Sequence, residues 1–167
     1  MTIRKVEIER LSVISSKPFE EVLTTLEAAI GHPDMVEFRK AMNSSHTFAE
    51  FENVVHKQLG TTGLMLFMKF DQGAVVRKET GLNTPKIVRY VISNPLIMKE
   101  MAKHVPDAGA YAPVTILVDE RPDGVHISYD KMASFLAPYR NSDALTVARD
   151  LDSKVEKLLQ ESAVKNK

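Results

Sequence analysis

The chain has 167 residues, no cysteine and a formal net charge of zero, with 22 basic residues against 22 acidic ones. This length fits one domain with its own core. Nucleic-acid binding draws on a basic field that is absent here, and without cysteine there are no disulfides, thiolate nucleophiles or zinc–thiolate sites. No segment approaches the roughly 18 consecutive apolar residues of a spanning helix, and no signal peptide opens the chain, so we expect a cytoplasmic protein that binds no membrane.

The N-terminal third of the chain predicts a strand, a helix and a helical pair. Residues 6–15 mix β-branched and charged side chains in the alternating pattern of a strand. An apolar stripe over residues 19–30 predicts an amphipathic helix. Two short helices are predicted within residues 32–62, and the capping-box sequence Thr47-Phe48-Ala49-Glu50 opens the second of them.

The middle of the chain predicts two strands and a helix start. Residues 64–70 form a short, almost wholly apolar run, which is typical of a central strand. We expect alternate residues of this strand to be buried on one face: Leu64, Leu66, Met68 and Phe70. A second strand is predicted over residues 87–92, and the pair Asn94-Pro95 after it is a typical helix start, a cap followed by proline.

The C-terminal part predicts a hairpin and a long helix. Residues 111–118 and 125–129 have the pattern of two strands joined by a longer loop, and a helix is predicted over about residues 142–161. Strands and helices mix without regular β-α alternation, which favours an α+β fold. We therefore predict a single domain over residues 1–167, with one curved, mainly antiparallel sheet, helices packed on it and an inserted helical pair at 32–62.

Several short motifs occur in the order and spacing of a known family. They are Gly63-Leu64-Met65-Leu66-Phe67, Phe70-Asp71, Ser93-Asn94-Pro95, Ala112-Pro113-Val114-Thr115-Ile116-Leu117-Val118, Asp123-Gly124-Val125 and Ser128-Tyr129. With residues 6–31, which also fit, they cover roughly two-thirds of the chain. The sequence thus resembles domain-of-unknown-function family 302. The resemblance implies a compact α+β fold with a curved antiparallel sheet, often dimeric, and no established activity.

The sequence departs from the family pattern in three places. Residues 32–62 look inserted, and Gln72 follows Asp71 where many relatives have histidine. Ser93 stands where some relatives have cysteine. Histidine or thiol chemistry in those relatives is therefore not carried over to this chain.

Five polar residues near one predicted sheet end form the candidate ligand site: Lys69, Asp71, Arg89, Ser93 and Asn94. The helix that starts at Asn94 exposes N-terminal amides, whose partial positive charge attracts anions. Lys69 and Arg89 would neutralise an anion, and Asp71 would orient a hydroxyl or an amine. The structural alternative is that Asp71 caps a turn and Asn94 only caps its helix.

Three hypotheses of function remain open. The first is a non-catalytic small-molecule-binding or interaction module with a pocket between sheet and helices, since the sequence has no Gly-x-Ser-x-Gly elbow and no glycine-rich phosphate loop. The second is an enzyme acting on a small polar or anionic substrate through Asp71, Lys69 and Arg89. The third is haem or metal binding through His104 or His126. Because the five histidines lack ligand spacing, no cofactor and no metal site are predicted.

We expect a homodimer, from the family resemblance and because zero net charge offers no long-range repulsion. The apolar stripe of the terminal helix would either contact the second subunit or pack on its own domain. Its residues are Leu145, Leu151, Val155, Leu158 and Leu159.

Overall fold

A computed structural model of the protein describes Met1 and residues 3–164. The strands are β1 (Arg10–Ser15), β2 (Met65–Asp71), β3 (Ile87–Ser93), β4 (Val114–Arg121) and β5 (Gly124–Asp130). The helices are α1 (Phe19–Ala29), α2 (Met35–Ser44), α3 (Phe48–His56), α4 (Gly73–Thr80), α5 (Pro95–Ala102), α6 (Ala108–Tyr111), α7 (Met132–Leu136) and α8 (Ser142–Ala163), with a 3₁₀ turn at Ala137–Tyr139. The strands form one antiparallel sheet in the order β1-β5-β4-β3-β2, and it does not close into a barrel. The predicted α+β fold is confirmed.

Helices α1, α5 and α8 cover one face of this sheet, and we call the other the open face; α2 flanks its margin beside β2. Tyr90, Ile116 and Ile127, on three adjacent strands, are fully buried in a core that includes apolar residues of α1, α5 and α8. Successive side chains on a strand point to opposite sides. Intervening residues such as Arg89 and Leu117, which pair across β3 and β4, therefore lie on the open face.

Strand β2 differs from its sequence prediction in two respects. It lies at the edge of the sheet and not at its centre, since β3 is its one neighbour in the sheet order. Leu64 is fully buried and Leu66 partly buried, whereas Met68 and Phe70 are 48% and 42% exposed. The expected burial of four alternate residues is thus wrong for Met68 and Phe70.

A bulge explains this change. Leu66 pairs with Ile92 and Met68 pairs with Val91, so that Phe67 is the extra residue in β2. One extra residue reverses which side chains point to each face of the sheet. After the bulge, the polar residues of β2 face the helices, and the apolar Met68 and Phe70 lie on the open face.

The helical pair α2 and α3 covers the beginning of β2. The predicted capping box is confirmed, because the Thr47 side chain accepts from the Glu50 amide and Glu50 accepts from the Thr47 amide. The pair contributes Phe38 and Val55 to a second, smaller buried cluster with Met65 of β2. The segment is therefore packed onto the sheet edge.

The outer segments depart in detail from their predictions. The first strand begins at Arg10 and not at residue 6, and the hairpin between β4 and β5 closes with Arg121 opposite Gly124, so its turn is shorter than expected. Helix α8 begins after Asn141, whose side chain accepts from the Ala144 amide. Its apolar stripe packs on its own domain: Leu151, Val155, Leu158 and Leu159 are buried within the chain, and Leu145 is packed against the same core.

Candidate functional site

Of the five sequence-predicted site residues, the structure brings Lys69 and Asp71 together in a cavity of about 540 Å³ on the helix side of the sheet, and it separates Arg89, Ser93 and Asn94 from them. Lys69 pairs across the strands with Tyr90 and therefore faces the helices, whereas Arg89 pairs with Phe70 on the open face. Asp71 pairs with Val88, also on the helix side. The expected grouping of Arg89 with Lys69 and Asp71 at one sheet end is thus wrong. It fails because the bulge reverses the faces of β2.

Lys69 belongs to a polar cluster beside α1. Its Nζ donates to Glu27 Oε1 at 2.6 Å, and the Tyr90 hydroxyl donates to the same oxygen at 2.5 Å. Burial raises the pKa of Glu27, but the hydrogen bonds from Lys69 and Tyr90, together with the nearby positive charges, outweigh burial and leave that pKa below its ordinary value. Burial and the Glu27 carboxylate raise the pKa of Tyr90. The charge of Lys69 is therefore already matched.

Asp71 serves the turn that follows β2. Its Oδ1 accepts from the Ala74 amide at 3.0 Å, and its Oδ2 accepts from Arg77 at 2.6 Å. The hydrogen bond from Arg77 is the main cause that holds the pKa of Asp71 below its ordinary value. The structural alternative for this residue, capping of the following turn, is what the geometry supports.

Ser93 and Asn94 lie far from Asp71 and are both buried, 7% exposed each. The Asn94 side chain accepts from the Leu96 amide and donates to the Gly63 carbonyl, each at 2.9 Å. Asp71 is opposite Val88, and Asn94 lies six residues further along the chain, roughly 20 Å away in extended backbone. The cap is confirmed, and both the oxygen and the nitrogen of the Asn94 side chain are hydrogen-bonded within the protein.

The open face carries a cleft with a volume of about 380 Å³. Arg89 of β3 lies in it, and its guanidinium donates to Thr115 Oγ1 of β4 at 3.2 Å. Tyr111 and Phe135, whose rings stack with centroids 4.9 Å apart, also line the cleft. It is thus built from polar groups of several strands beside a pair of stacked rings.

An ion pair also lines the cleft, on the two strands beyond β4. Arg10 of β1 donates two hydrogen bonds to Asp130 of β5, at 2.6 and 2.8 Å. The bond from Arg10 is the main cause that lowers the pKa of Asp130, and the same bond raises the pKa of Arg10. These two charges neutralise each other, so the Arg89 charge dominates the cleft.

The open face carries a second cavity, of about 560 Å³, which adjoins the cleft and shares Arg89 and Pro113 with it. We call it the apolar groove. One wall is the face of α2 that carries Met35, Arg39 and Met42, and the other is formed by strand residues. Those are Phe67, Met68, Phe70 and Val91. Both volumes fall within the range of about 300–1,000 Å³ that is usual for small-molecule sites.

The charge of the apolar groove is wholly positive. Its two charged lining residues are Arg39 and Arg89. Among the ion pairs of the described residues, with a limit of 4.0 Å, neither arginine has a carboxylate partner. An apolar surface with two unmatched cations favours a ligand that is itself both apolar and anionic.

The remaining polar groups do not assemble a metal site within Met1 and residues 3–164. No group of three or more His, Cys, Asp or Glu side chains is placed to hold an ion there. The alternation of His126 with Val125 and Ile127 predicts a surface position for it, but the residue is buried, and its Nε2 lies 2.9 Å from Asp123 Oδ1. None of the described helices is both long and apolar enough to cross a membrane.

Sequence reasoning found Arg89 but missed the residues around it. Thr115, Ser128 and Asp130 lie on β4 and β5, so they meet Arg89 only once the strand order is known. The alternation of apolar and polar residues in the predicted hairpin was the available signal, since it places Thr115 and Ser128 away from the core face. No pattern in the sequence marked Arg39.

These features define an α+β protein whose five-stranded antiparallel sheet has α1, α5 and α8 on one face and, on the other, a cleft with an adjoining groove beside α2. The family model described as "Domain of unknown function DUF302" matches residues 40–162, and the chain belongs to this family. The matched range starts within the helical pair that looked inserted and leaves out residues 6–31.

A solved structure supports the fold. The crystal structure of the uncharacterized conserved protein DUF302 from Bacillus stearothermophilus is similar with a TM-score of 0.62 and 13% sequence identity. The similarity covers 92% of this chain and 97% of that one. At this identity the likeness supports the fold alone. No curated protein matches the sequence.

Proposed function

We propose that the chain is a non-catalytic module that binds a small anionic molecule on the open face of its sheet. The observation that carries the proposal is Arg89, which lines both the cleft and the apolar groove and has no carboxylate partner among the described ion pairs. A guanidinium presents several donors in a plane that suits carboxylate and phosphate groups. The ligand would therefore be held at Arg89 by charge-assisted hydrogen bonds.

The neighbours of Arg89 support a binding role. Thr115 already accepts a hydrogen bond from Arg89 and so fixes the direction of its guanidinium. Ser128 adds a hydroxyl group to the same cleft, and Tyr111 adds part of its wall. A few polar groups converging in a partly apolar concavity are the usual composition of a small-molecule site.

The alternative is an enzyme that acts on a small polar or anionic substrate through Asp71, Lys69 and Arg89. It draws little support from the geometry, because Arg89 is on the other face from Lys69 and Asp71. Glu27, which contacts Lys69, and Asp71 itself have lowered pKa values, and each is bound by a cation. Such groups are poor general acids or bases near neutral pH.

We also propose that the chain is a homodimer located in the cytoplasm. Zero net charge supports self-association, and the absence of cysteine fits a reducing compartment. The apolar stripe of α8 would not form the contact, because it packs within the chain. Sedimentation at high micromolar concentration tests this part, and a monomer mass would contradict it.

Native mass spectrometry of the protein purified from its own host tests the binding role. We expect the wild-type chain to carry an anionic adduct that Arg89→Met no longer retains. The control is Arg149→Met, which removes an exposed cation from α8 outside both cavities. Equal retention by Arg89→Met, or no adduct on any form, would contradict the proposal.

A further inference from the structure

The apolar groove beside Arg89 has one continuous floor and one helical wall. The floor is the part of β2 that follows the bulge, where Met68 and Phe70 are 48% and 42% exposed, together with Val91 of β3. The wall presents Met35, Arg39 and Met42. These three positions are spaced by four and three residues, so they share one face of α2.

The exposure of this apolar surface indicates that a ligand binds there. Most large apolar side chains of β3, β4 and β5 are buried, yet the two on the outer half of β2 are open to solvent. Methionine side chains are flexible and polarizable and adapt to ligands of varied shape. Exposed apolar concavities with a charged rim are typical of ligand-binding grooves.

The two arginines of the groove indicate the charge of the ligand that would fit it. Arg39 stands on the wall and Arg89 at the junction with the cleft, and no acidic residue lines the groove. A neutral apolar ligand would leave both cations without a partner, whereas an anion at the junction would match Arg89. An apolar tail would then extend along Met68 and Phe70, beneath α2.

We infer that the ligand is a single-chain anionic amphiphile, with its carboxylate or phosphate on Arg89 and its alkyl chain in the apolar groove. This inference rests on the proposed function and adds the chemical class of the ligand. The same head group and chain occur in free amphiphiles and in membrane lipids. The structure favours the free form, because a flat bilayer does not fill a groove between a helix and a sheet.

Calorimetric titration with defined probes tests the inference. We expect decanoate to bind, hexanoate to bind at least about tenfold more weakly because it buries fewer methylene groups, and acetate more weakly still. 1-Decanol, which has the chain without the charge, should bind about 10- to 100-fold more weakly than decanoate. Vesicles of phosphatidylglycerol should not sediment the protein.

Matched variants assign the two ends of the ligand. Arg89→Met should weaken the binding of decanoate about 10- to 100-fold. Phe70→Gln should weaken the binding of decanoate about tenfold and change the binding of acetate little. The controls are Arg149→Met and Val75→Gln, which change an exposed cation and an exposed apolar residue outside the groove. All four positions are exposed, and thermal unfolding of each variant checks that it folds like the wild type.

The outcomes separate this inference from the function on which it rests. If acetate binds as tightly as decanoate, or if Phe70→Gln has no effect, the amphiphile is wrong while a small anion on Arg89 still stands. Sedimentation with anionic vesicles but no binding of decanoate would replace the free amphiphile by a bilayer surface. If no probe binds, and a second copy of the chain proves to cover the groove, both the inference and the proposed function fall.

Discussion

Asp152 of α8 accepts a 2.6 Å hydrogen bond from the Tyr129 hydroxyl of β5, and both side chains are buried. The same carboxylate accepts from the amides of Met132 and Ala133, at 2.7 and 3.0 Å. A side chain of α8 thus caps the start of α7 and ties it to the sheet. Burial is the main cause that raises the pKa of Tyr129, and Asp152 raises it further, so the phenol keeps its proton.

We expect Asp152→Ala to lower the free energy of unfolding by about 2–4 kcal/mol, because it leaves buried donors without acceptors. Asp150→Ala, at an exposed position of the same helix, should change it by about 0.5 kcal/mol or less. Urea denaturation of both variants measures the difference. Equal effects would show that the carboxylate does not anchor α7.

A pair of substitutions in and before β2 tests the bulge at Phe67. Leu64→Ala should destabilise the protein by about 2–5 kcal/mol, since Leu64 is fully buried. Met68→Ala, at a position 48% exposed, should cost about 0.5 kcal/mol or less. The same urea experiment distinguishes them. A comparable loss for both would indicate an unbulged strand with both side chains in the core.

The contact between Gly31 and the end of α3 leaves no room for a side chain. A Cβ at Gly31 would lie 1.7 Å from the Gln58 carbonyl oxygen, while the backbone of Gly31 bonds to β2. Gly31→Ala should therefore lower the melting temperature sharply, by an amount equivalent to about 3 kcal/mol or more. Gly109→Ala, where nothing lies within 4 Å, is the control and should be neutral or slightly stabilising.

The Glu27 cluster makes stability depend on pH. The pKa of Glu27 in the folded protein lies below its ordinary value of 4.5, so the folded state favours the ionised carboxylate. Its contribution is complete above pH 4.5 and is lost as the pH falls through the lower folded pKa. Glu27→Gln should flatten the acid limb of the stability profile and cost about 1 kcal/mol at pH 7. Glu21→Gln, exposed on the same helix, should leave the profile unchanged.

Much of the fold could be predicted from the sequence because local patterns specify it. The capping box at Thr47 and the Asn94-Pro95 start each depend on neighbouring residues alone, and both occur in the structure. The alternation in β4 and β5 likewise gave the correct hairpin. The edge position of β2 was not predictable in this way, because it depends on which strands pair.

The candidate site was harder to predict, for a physical reason that one residue illustrates. Phe67 is an apolar residue in an apolar run, and nothing in its side chain marks it as the extra residue of a bulge. Without that bulge, Lys69 would share the open face with Arg89. The residues that do surround Arg89 come from other strands and from α2, and their proximity arises only in the folded chain.

The methionine methyl groups offer the most direct test of ligand binding on the open face. Met35, Met42 and Met68 line the apolar groove, whereas Met101 and Met132 are fully buried in the core on the helix side. In a protein labelled with ¹³C at the methionine methyls, titration with decanoate should shift the three groove resonances and leave the two core resonances in place. Shifts confined to Met101 and Met132, or no shift at any methionine, would contradict the account.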